Sequence, residues 1–301
     1  MTDLAVAHDD LRPLMFSVAY RMLGSVSEAE DVVQEAFLRM HRAGTHADNP
    51  EAYATTVTTR LAIDALRSAR HRREQYVGPW LPEPLLVSDD DPARRVEQTE
   101  SLSTAFLVVL ETLSPVERAV FLLREVFGYG YAEIAAIVER SEANCRQLMT
   151  RARKHVEERR PRFDESREHR DELARTFFAA LNDGDVAALE RLLAEDVEFQ
   201  GDGGGKTAAL RKPLVGALQV ARFLAGLGRT GVQIGTTLAP VTVNGQPGFR
   251  VSGPDGAVVG VLSLTITDGR VVGLHNQINP DKLQHLGAVG DLNALLSERG
   301  S

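Results

Sequence analysis

The stretch Tyr131–His155 constrains this chain most, because its apolar residues follow two helical periods separated by a short break. The first predicted helix has an apolar face formed by Ile134, Ile137 and Val138. The pair Glu139-Arg140 interrupts the pattern, and Ser141 then stands where the next helix should begin. Its hydroxyl can accept a hydrogen bond from a free backbone N–H in the first turn of that helix. The stretch therefore predicts two helices joined by a tight turn.

The second of these helices has an apolar face and a polar, basic face. Its apolar residues recur at helical spacing: Cys145, Leu148, Met149, Ala152 and Val156. With the capping Ser141, the residues that we predict to contact DNA are Asn144, Arg146, Gln147, Thr150, Arg151, Arg153 and Lys154. Arg, Gln and Asn can pair with base edges through two hydrogen bonds, and basic residues late in the helix are placed for phosphates. This pattern is typical of a helix-turn-helix, and the alternative is a helical pair with a solvated basic face.

The distribution of charge qualifies this interpretation. The chain has 301 residues and a net charge of −8, which by itself disfavours nucleic acid as a partner. Two segments are locally basic at about +4 each: Arg60–Arg73 has five arginines against Asp64, and Arg140–Arg160 has seven basic residues against three glutamates. An acidic protein with two basic stripes is poorly suited to binding DNA through phosphate attraction alone. A partner that presents it to DNA is therefore expected.

Composition excludes several other classes. No apolar run approaches the roughly 18 residues of a membrane span, and the acidic N-terminus lacks an apolar signal core, so we expect a cytoplasmic protein without a membrane partner. The single cysteine, Cys145, excludes an intramolecular disulfide and a cysteine-rich zinc site. It lies on the apolar face of a predicted helix, which favours a buried thiol over a nucleophile.

The first part of the chain, residues 11–76, is predicted to be helical. Ser27 and Glu30 have the spacing of a capping box at the start of a helix. Behind them an apolar stripe predicts a buried face, and the outward positions are Asp31, Gln34, Glu35 and Arg39. After the break at Asn49-Pro50 a long basic helix is predicted over residues 51–75.

This basic helix carries an aromatic residue and a series of arginines on its polar side: Tyr53, Arg60, Arg67 and Arg70. A basic helix with an aromatic side chain can bind phosphates and hold an unstacked base. The alternative is that Tyr53 belongs to the core and that the arginines are solvated.

These modules resemble the extracytoplasmic-function sigma factors of bacterial RNA polymerase. The resemblance rests on AEDVVQEAFLRMHR (29–42), on the helix 52–73 and on LSPVERAVFLLREVFGYGYAEIAAIVERSEANCRQLMTRARKHV (113–156). It implies a region 2 module (1–76) that binds the polymerase core and the −10 element, and a region 4 helix-turn-helix (101–161) that reads the −35 element. By this resemblance Asp31, Gln34, Glu35 and Arg39 face the polymerase, and helix 52–73 meets the −10 DNA. This chain departs from the pattern at Arg60, where many members have Asn.

The segment between the modules, residues 77–100, is predicted to be an extended linker. Pro79, Pro82 and Pro84 disfavour a helix. A solvated spacer would satisfy most of this sequence, but Trp80 is the only tryptophan and is flanked by leucines. We therefore expect Trp80 to pack on a surface.

The remaining part, residues 166–301, has a different pattern. Two helices, at about 168–181 and 186–193, precede a short strand at 197–200 and a helix near 218–227. Strands are then predicted at 232–237, 241–243, 248–252, 258–267 and 271–276, several of them separated by Asn-Gly or Asp-Gly turns. Helices followed by a curved antiparallel sheet indicate a cone-shaped α+β domain. The fold class is thus multidomain, with two all-α sigma modules and a C-terminal α+β cone that resembles the SnoaL-like family.

Some extracytoplasmic-function factors, the SigJ-like branch, carry such a C-terminal domain, and three motifs here resemble theirs. They are WLPEP (Trp80, Leu81, Pro82, Glu83, Pro84), DGGGK (Asp202, Gly203, Gly204, Gly205, Lys206) and NPDKL (Asn279, Pro280, Asp281, Lys282, Leu283). The resemblance implies that the C-terminal domain regulates the sigma modules in cis, with these residues forming the contact between domains. The cone is also expected to be able to hold a small-molecule ligand.

The sequence predicts no catalytic residue, metal site or cofactor. The DGGGK segment lacks the glycine spacing of a phosphate-binding loop. His275 and Asp202 could form an acid–base pair at the mouth of the cone, but a lone histidine on a strand is more often structural. The alternative to an initiation factor is a SnoaL-type sensor or enzyme that helical modules deliver to DNA.

Overall fold

A computed structural model describes residues 4–43, 48–74, 76–87, 102–157 and 166–298. These residues form two compact units, Met1–Gln75 with Val109–Arg160 and Tyr76–Val108 with Pro161–Ser301. In the described part of the chain, no helix is long and apolar enough to cross a lipid bilayer.

The first unit begins with three helices, α1 (Leu4–Leu23), α2 (Val26–Ala43) and α3 (Pro50–Glu74). The Oγ atom of Ser25 accepts a hydrogen bond from the Glu28 N–H at 3.2 Å, so Ser25 caps α2. The prediction of Ser27 at this position was wrong by two residues, because both serines precede the same acidic turn. The side chain of Asn49 caps α3 through the Ala52 N–H at 3.0 Å.

Between these helices and the helix-turn-helix lie two short elements, β1 (Leu86–Val87) and α4 (Thr104–Leu110). The helix α5 (Pro115–Glu125) follows, with Ser114 and Glu117 forming a complete capping box. The predicted helical pair is confirmed as α6 (Tyr131–Val138) and α7 (Glu142–Glu157). All five predicted apolar residues of α7 are buried, and burial raises the pKa of the Cys145 thiol.

The turn between α6 and α7 is built from local backbone geometry. Glu139 ends α6 in the left-handed region, with φ 55°. The Oγ atom of Ser141 then accepts a hydrogen bond from the Asn144 N–H at 3.2 Å, as an N-cap. The break that was recognised in the sequence at Glu139-Arg140 is therefore a true reversal of the chain.

The second unit packs helices on one face of a curved sheet. Its helices are α8 (Arg167–Asp183), α9 (Val186–Leu192), α10 (Ala217–Gln233) and α11 (Leu292–Glu298). Its further strands are β2 (Leu193–Asp202), β3 (Leu214–Val215), β4 (Thr237–Val243), β5 (Gln246–Ser252), β6 (Val258–Thr267) and β7 (Arg270–Gln277). The sheet order is β1-β4-β5-β6-β7-β2-β3, in which β2 and β7 are parallel and the other pairs are antiparallel.

The prediction of a strand over 232–237 was wrong. Val232 and Gln233 end α10, and the strand begins only at Thr237. The buried residues of α10 lie in its first half, up to Ala225, and Val232 continues the same helix although it is exposed and has a β preference. The strand predicted at 241–243 is the end of β4, which begins at Thr237 and runs through Pro240.

The two faces of this sheet have different roles. Side chains alternate along each strand, so Phe199 and Leu262 point into the concave side with the helices, where the main core lies. Asp202, Ser263, His275 and Gln277 occupy the alternate positions and point to the opposite face. All four of these polar residues are buried.

Candidate DNA-binding, polymerase-binding and linker sites

The polar side of α7 forms a surface that we call the recognition face, consisting of Asn144, Arg146, Gln147, Thr150, Arg151, Arg153 and Lys154. All of them are exposed except Asn144, which is half-buried. The opposite side of the helix supplies the core, so α7 presents amide and guanidinium groups outwards from a fixed support.

The arginines of the recognition face make exposed contacts with nearby acidic side chains. Arg146 pairs with Glu142 at 2.8 Å and lies 5.0 Å from the centre of the Tyr131 ring. Arg153 pairs with Glu125 at 2.6 Å. Surface pairs of this kind contribute only about 0–1 kcal/mol, so phosphates or base edges can replace the carboxylates.

Arg60, which we predicted to contact DNA, has a different environment from the other residues of α3. Its guanidinium donates hydrogen bonds to the carbonyl oxygens of Ala136 and Ile137, both at 2.9 Å, and pairs with Glu139 at 3.2 Å. These groups are the C-terminal end of α6, where the helix dipole and unpaired carbonyls attract a cation. Arg60 thus links the basic helix to the helix-turn-helix within the first unit.

The remaining predicted residues of α3 are placed separately. Tyr53 is half-buried. Arg67 is exposed and pairs with Asp64 at 3.1 Å. The side chain of Arg70 lies outside the described residues.

The predicted polymerase-facing residues share one side of α2. Asp31, Gln34 and Arg39 are exposed, and Glu35 pairs with Arg39 at 2.7 Å. Leu38 lies on the same side and is 50% exposed.

Asp202 is the centre of a cluster in the second unit that joins the linker to the sheet. Its carboxylate accepts hydrogen bonds from the Tyr76 hydroxyl at 2.6 Å, the Leu81 N–H at 2.9 Å and the Lys282 ammonium at 2.7 Å. Gln277 donates to the same carboxylate at 3.3 Å. We call this group the linker anchor, which consists of Tyr76, Trp80, Leu81, Asp202, Gln277, Asn279 and Lys282.

Lys282 connects the linker anchor to the aromatic residues of the linker. Its ammonium donates to the Leu81 carbonyl at 2.6 Å and lies 4.1 Å from the centre of the Trp80 ring and 4.8 Å from that of Tyr76. A cation over two rings in a buried site is strongly held. The expectation that Trp80 packs on a surface is therefore confirmed.

Tyr76 and Asn279 complete the arrangement. Asn279 donates to the Tyr76 hydroxyl at 2.8 Å, and that hydroxyl donates to Asp202. Burial, followed by the hydrogen bond to the Asp202 carboxylate, raises the pKa of the Tyr76 phenol. The phenol therefore remains a neutral donor at physiological pH.

The glycines of DGGGK allow this close approach. Gly204 has φ +60°, and a Cβ at this position would lie 2.2 Å from Nδ2 of Asn279. Gly205 has φ +71°, and its Cβ would lie 3.2 Å from Val77 of the linker. Lys206 then pairs with Asp281 at 2.6 Å in an exposed ion pair.

The rest of the linker continues along the same unit. His285 lies 2.8 Å from the Pro84 carbonyl and 4.0 Å from the buried Glu83. The Leu85 N–H donates to the side chain of Asn244 at 3.0 Å, and β1 pairs with β4. The Pro82 carbonyl accepts a hydrogen bond from Gln277 at 3.3 Å. Leu283 is fully buried in a small core with Val243.

The acid–base hypothesis for His275 and Asp202 at the cone mouth was wrong in its geometry. Both residues lie on the sheet face opposite to the concave side, and Asp202 is engaged by the linker. Burial lowers the pKa of His275 to about 4, and its Nδ1 has no hydrogen-bond partner among the described residues. His275 is a buried neutral side chain, and the described residues include no group of three potential metal ligands.

Several residues of this site were missed in the sequence: Tyr76, Gln277, Asn244 and His285. Their partners are distant in the chain, so no periodicity marks them. Tyr76 alone had a usable signal, since an aromatic residue immediately before a proline-rich linker suggests a point of attachment.

Comparison with known proteins identifies the same three parts. The model of Sigma-70 region 2 matches residues 8–72, that of Sigma-70 region 4 matches residues 103–156, and that of the SnoaL-like domain matches residues 174–274. The chain is 39% identical to the ECF RNA polymerase sigma factor SigJ of Mycobacterium tuberculosis over 283 residues, which is 90% of each chain. It is 34% identical to the probable ECF RNA polymerase sigma factor SigI of the same species, over 92% of this chain and 93% of that one.

The fold agrees with these similarities. The crystal structure of Mycobacterium tuberculosis SigJ superposes with a TM-score of 0.76 and 37% identity, covering 91% of this chain and 96% of that one. The region 2 module, the helix-turn-helix and the SnoaL-like cone thus occur together in a sigma factor. The chain belongs to the extracytoplasmic-function sigma factors of bacterial RNA polymerase, alternative sigma factors that bind the polymerase core and promoter DNA in transcription initiation.

Proposed function

We propose that this sigma factor reads the −35 element with the recognition face of α7 and the −10 element with α3, and that it binds the polymerase core through the exposed side of α2. The exposure of Arg146 and Gln147 supports base contacts. The exposure of Asp31, Gln34 and Arg39 on the side of α2 away from its buried stripe supports a protein contact there. The work of such a factor takes place with RNA polymerase in the cytoplasm.

The proposal extends to regulation in cis by the C-terminal unit. The observation that carries it is the burial of Asp202, a carboxylate of the SnoaL-like sheet, against Leu81 of the linker and against Tyr76, the residue that precedes the linker. The linker joins region 2 directly to region 4. On the region 4 side of the linker, the hydroxyl of Thr104 at the start of α4 lies 3.2 Å from that of Ser263 in the same sheet. Attachment to one sheet on both sides of the linker limits how far the two sigma modules can separate.

Arg60 supplies a second part of the argument. In the first unit its guanidinium is bound to the end of α6, and a contact with −10 DNA would need these hydrogen bonds to break. Release of the linker would permit that separation, and binding of the polymerase core would favour it. The linker anchor therefore holds the sigma factor in a state of lower activity.

The C-terminal unit is proposed to act as a regulator and not as an enzyme. A SnoaL-like fold by itself does not establish catalysis. The two residues that suggested acid–base chemistry, His275 and Asp202, face away from the concave side of the sheet. Their positions favour structural roles.

Run-off transcription with purified polymerase core tests the proposal. A promoter is first selected from a randomised DNA library with the holoenzyme. At limiting core concentration, Tyr76→Phe removes the hydroxyl that binds Asp202 and should increase the transcript yield, while the exposed control Lys212→Ala should not. Thermal unfolding checks that both variants are folded. An unchanged or lower yield from a folded Tyr76→Phe protein would contradict regulation through the linker.

A further inference from the structure

The second unit contains a cavity of about 440 Å³ on the concave side of its sheet. One wall is formed by α10. The strands contribute Phe199, Leu262 and Asn276, and the C-terminal helix α11 contributes Leu292 and Leu296. This volume falls in the range of roughly 300–1,000 Å³ that is usual for small-molecule sites. The cavity opens to solvent near Leu227 and Val232, which line it and are 40% and 69% exposed.

The chemistry of the walls selects the ligand. Among the described residues that line the cavity, none carries a charge, and most are aliphatic or aromatic. A charged ligand would lose its hydration there without gaining an ion pair. Asn276 lines the cavity from β7, where it is the cross-strand partner of Leu262. Its side-chain amide can donate to or accept from one polar group.

The cavity and the linker share a wall. The segment 201–210 lines the cavity with Gly201, Ala208 and Ala209, and these same residues, together with Val77 and Gly78, line a second cleft of about 230 Å³. The carboxylate of Asp202, in the same segment, holds the linker from the opposite side. One short stretch of chain therefore separates the ligand space from the linker anchor.

The C-terminal helix α11 is connected to this wall as well. The side chain of Asn293 donates to the Lys206 carbonyl at 2.7 Å, while Leu292 and Leu296 of the same helix face the cavity. A molecule in the cavity would touch α11 and the segment 208–210 at the same time. Both of these elements adjoin the glycine loop 203–205, which packs against Asn279, and Asn279 donates a hydrogen bond to Tyr76.

We propose that this cavity binds one neutral, mainly apolar small molecule bearing a hydroxyl or carbonyl group, and that the bound molecule strengthens the hold of the sheet on the linker. A ligand stabilises the linker-held state by as much as it binds this state more tightly than the released state, and the wall that the cavity shares with the linker is where this difference arises. The ligand acts as a corepressor of the sigma factor. This last statement rests on the proposed regulation through the linker, whereas the binding site does not.

Binding is tested with the neutral fluorescent probe N-phenyl-1-naphthylamine on the full chain. Bound probe should be displaced by 1-decanol at a concentration at least tenfold lower than by decanoate, which has the same chain and a charged end. Leu238→Trp, which fills part of the cavity, should weaken probe binding at least tenfold, and the exposed control Lys212→Ala should not. If Leu238→Trp is unfolded by circular dichroism, Asn276→Leu serves instead and should remove the preference for decanol over a hydrocarbon of equal length. Equal displacement by decanol and decanoate, or full binding by the filled cavity, would overturn the site.

Coupling is tested by hydrogen exchange of the linker peptide 76–86. Saturating 1-decanol should slow exchange of this peptide at least threefold in the wild-type chain. Asn293→Ala removes the bond from α11 to the glycine loop and should leave probe binding within twofold while reducing this slowing. Binding without any change in linker exchange would overturn the coupling and leave the site intact. Slowed exchange without a decrease in run-off transcription would overturn the corepressor role, and with it only the proposed direction of regulation.

Discussion

The linker anchor and the recognition face both use lysine or arginine beside carboxylates, but in opposite physical settings. Lys282 and Asp202 have side chains that are 10% and 0% exposed, whereas Arg146 and Glu142 are 57% and 45% exposed. A buried ion is stable only while its partners remain, since its hydration has been lost. An exposed arginine can exchange one partner for another at little free-energy cost. The buried ion pair of the linker anchor is therefore suited to a lasting contact with the linker, and the exposed arginines of the recognition face are suited to exchanging carboxylates for DNA.

The largest effect is expected from breaking the buried pair. Lys282→Met keeps much of the aliphatic volume but leaves the Asp202 carboxylate buried without its cation. The free energy of unfolding of the second unit should fall by about 3–5 kcal/mol, as is usual when one partner of a buried pair is removed. Chemical denaturation followed by circular dichroism measures this change.

The matched test removes the other charge at the same time. The double variant Asp202→Asn with Lys282→Met should recover part of the lost stability, because no unpaired charge remains. If Lys282→Met alone has the stability of the wild-type protein, solvent reaches Asp202 and the linker anchor is not a buried site.

The next effect concerns pH, on the same face of the sheet. The pKa of His275 is lowered by burial from 6.5 to about 4, so between these values the unfolded chain binds a proton that the folded chain does not. The contribution of neutral His275 to the free energy of unfolding is therefore complete above pH 6.5. It is lost as the pH falls towards 4, by up to about 3 kcal/mol. Denaturation midpoints at pH 7 and pH 5 should differ more for the wild-type chain than for His275→Gln. Identical differences in both proteins would show that His275 is accessible to protons in the folded state.

The same comparison explains what could be predicted from the sequence. Helix α7 was recognised in full because its apolar face, cap and polar face lie within one short stretch. The linker anchor depends on contacts between Tyr76, Asp202 and Lys282, which are distant in sequence and have no shared period. The three motifs were identified by resemblance, and they were expected to form a contact between domains. In the second unit the DGGGK and NPDKL motifs contact the linker, which contains WLPEP, and no local pattern could indicate these pairings.

Arg60 illustrates the same limit within the first unit. Its position on a basic helix predicts a DNA contact, and that remains a prediction. Its hydrogen bonds to Ala136 and Ile137 depend on where α6 ends, which the sequence of α3 does not contain. The strand predicted at 232–237 failed for a related reason, because Val232 continues a helix that begins at Ala217, outside the local stretch that suggested a strand.

A third prediction concerns the exposed set. Arg146→Ala should weaken binding to the selected promoter by about 1–3 kcal/mol and relax the preference at one base position, while Arg153→Ala should weaken all sequences equally. The free energy of unfolding should change by less than about 0.5 kcal/mol in both, because these side chains are exposed. Electrophoretic mobility shifts of the holoenzyme on a library of single-base promoter variants measure the pattern. Loss of stability with unchanged base preference would assign Arg146 to the fold.

The smallest effect is expected for an ion pair beside the linker anchor itself. Lys206 and Asp281 belong to the same motifs as Asp202 and Lys282, but their side chains are 55% and 53% exposed. Lys206→Ala should therefore lower the free energy of unfolding by only about 0–1 kcal/mol, and this loss should decrease at high salt. Both variants remove one lysine from an ion pair with aspartate, and both lysines belong to the same set of motifs. A difference in stability between Lys206→Ala and Lys282→Met therefore reports the burial of the pair and not its place in a motif. If Lys206→Ala destabilises the second unit as strongly as Lys282→Met, the glycine loop depends on the exposed pair, and burial of Asp202 is not what holds the linker.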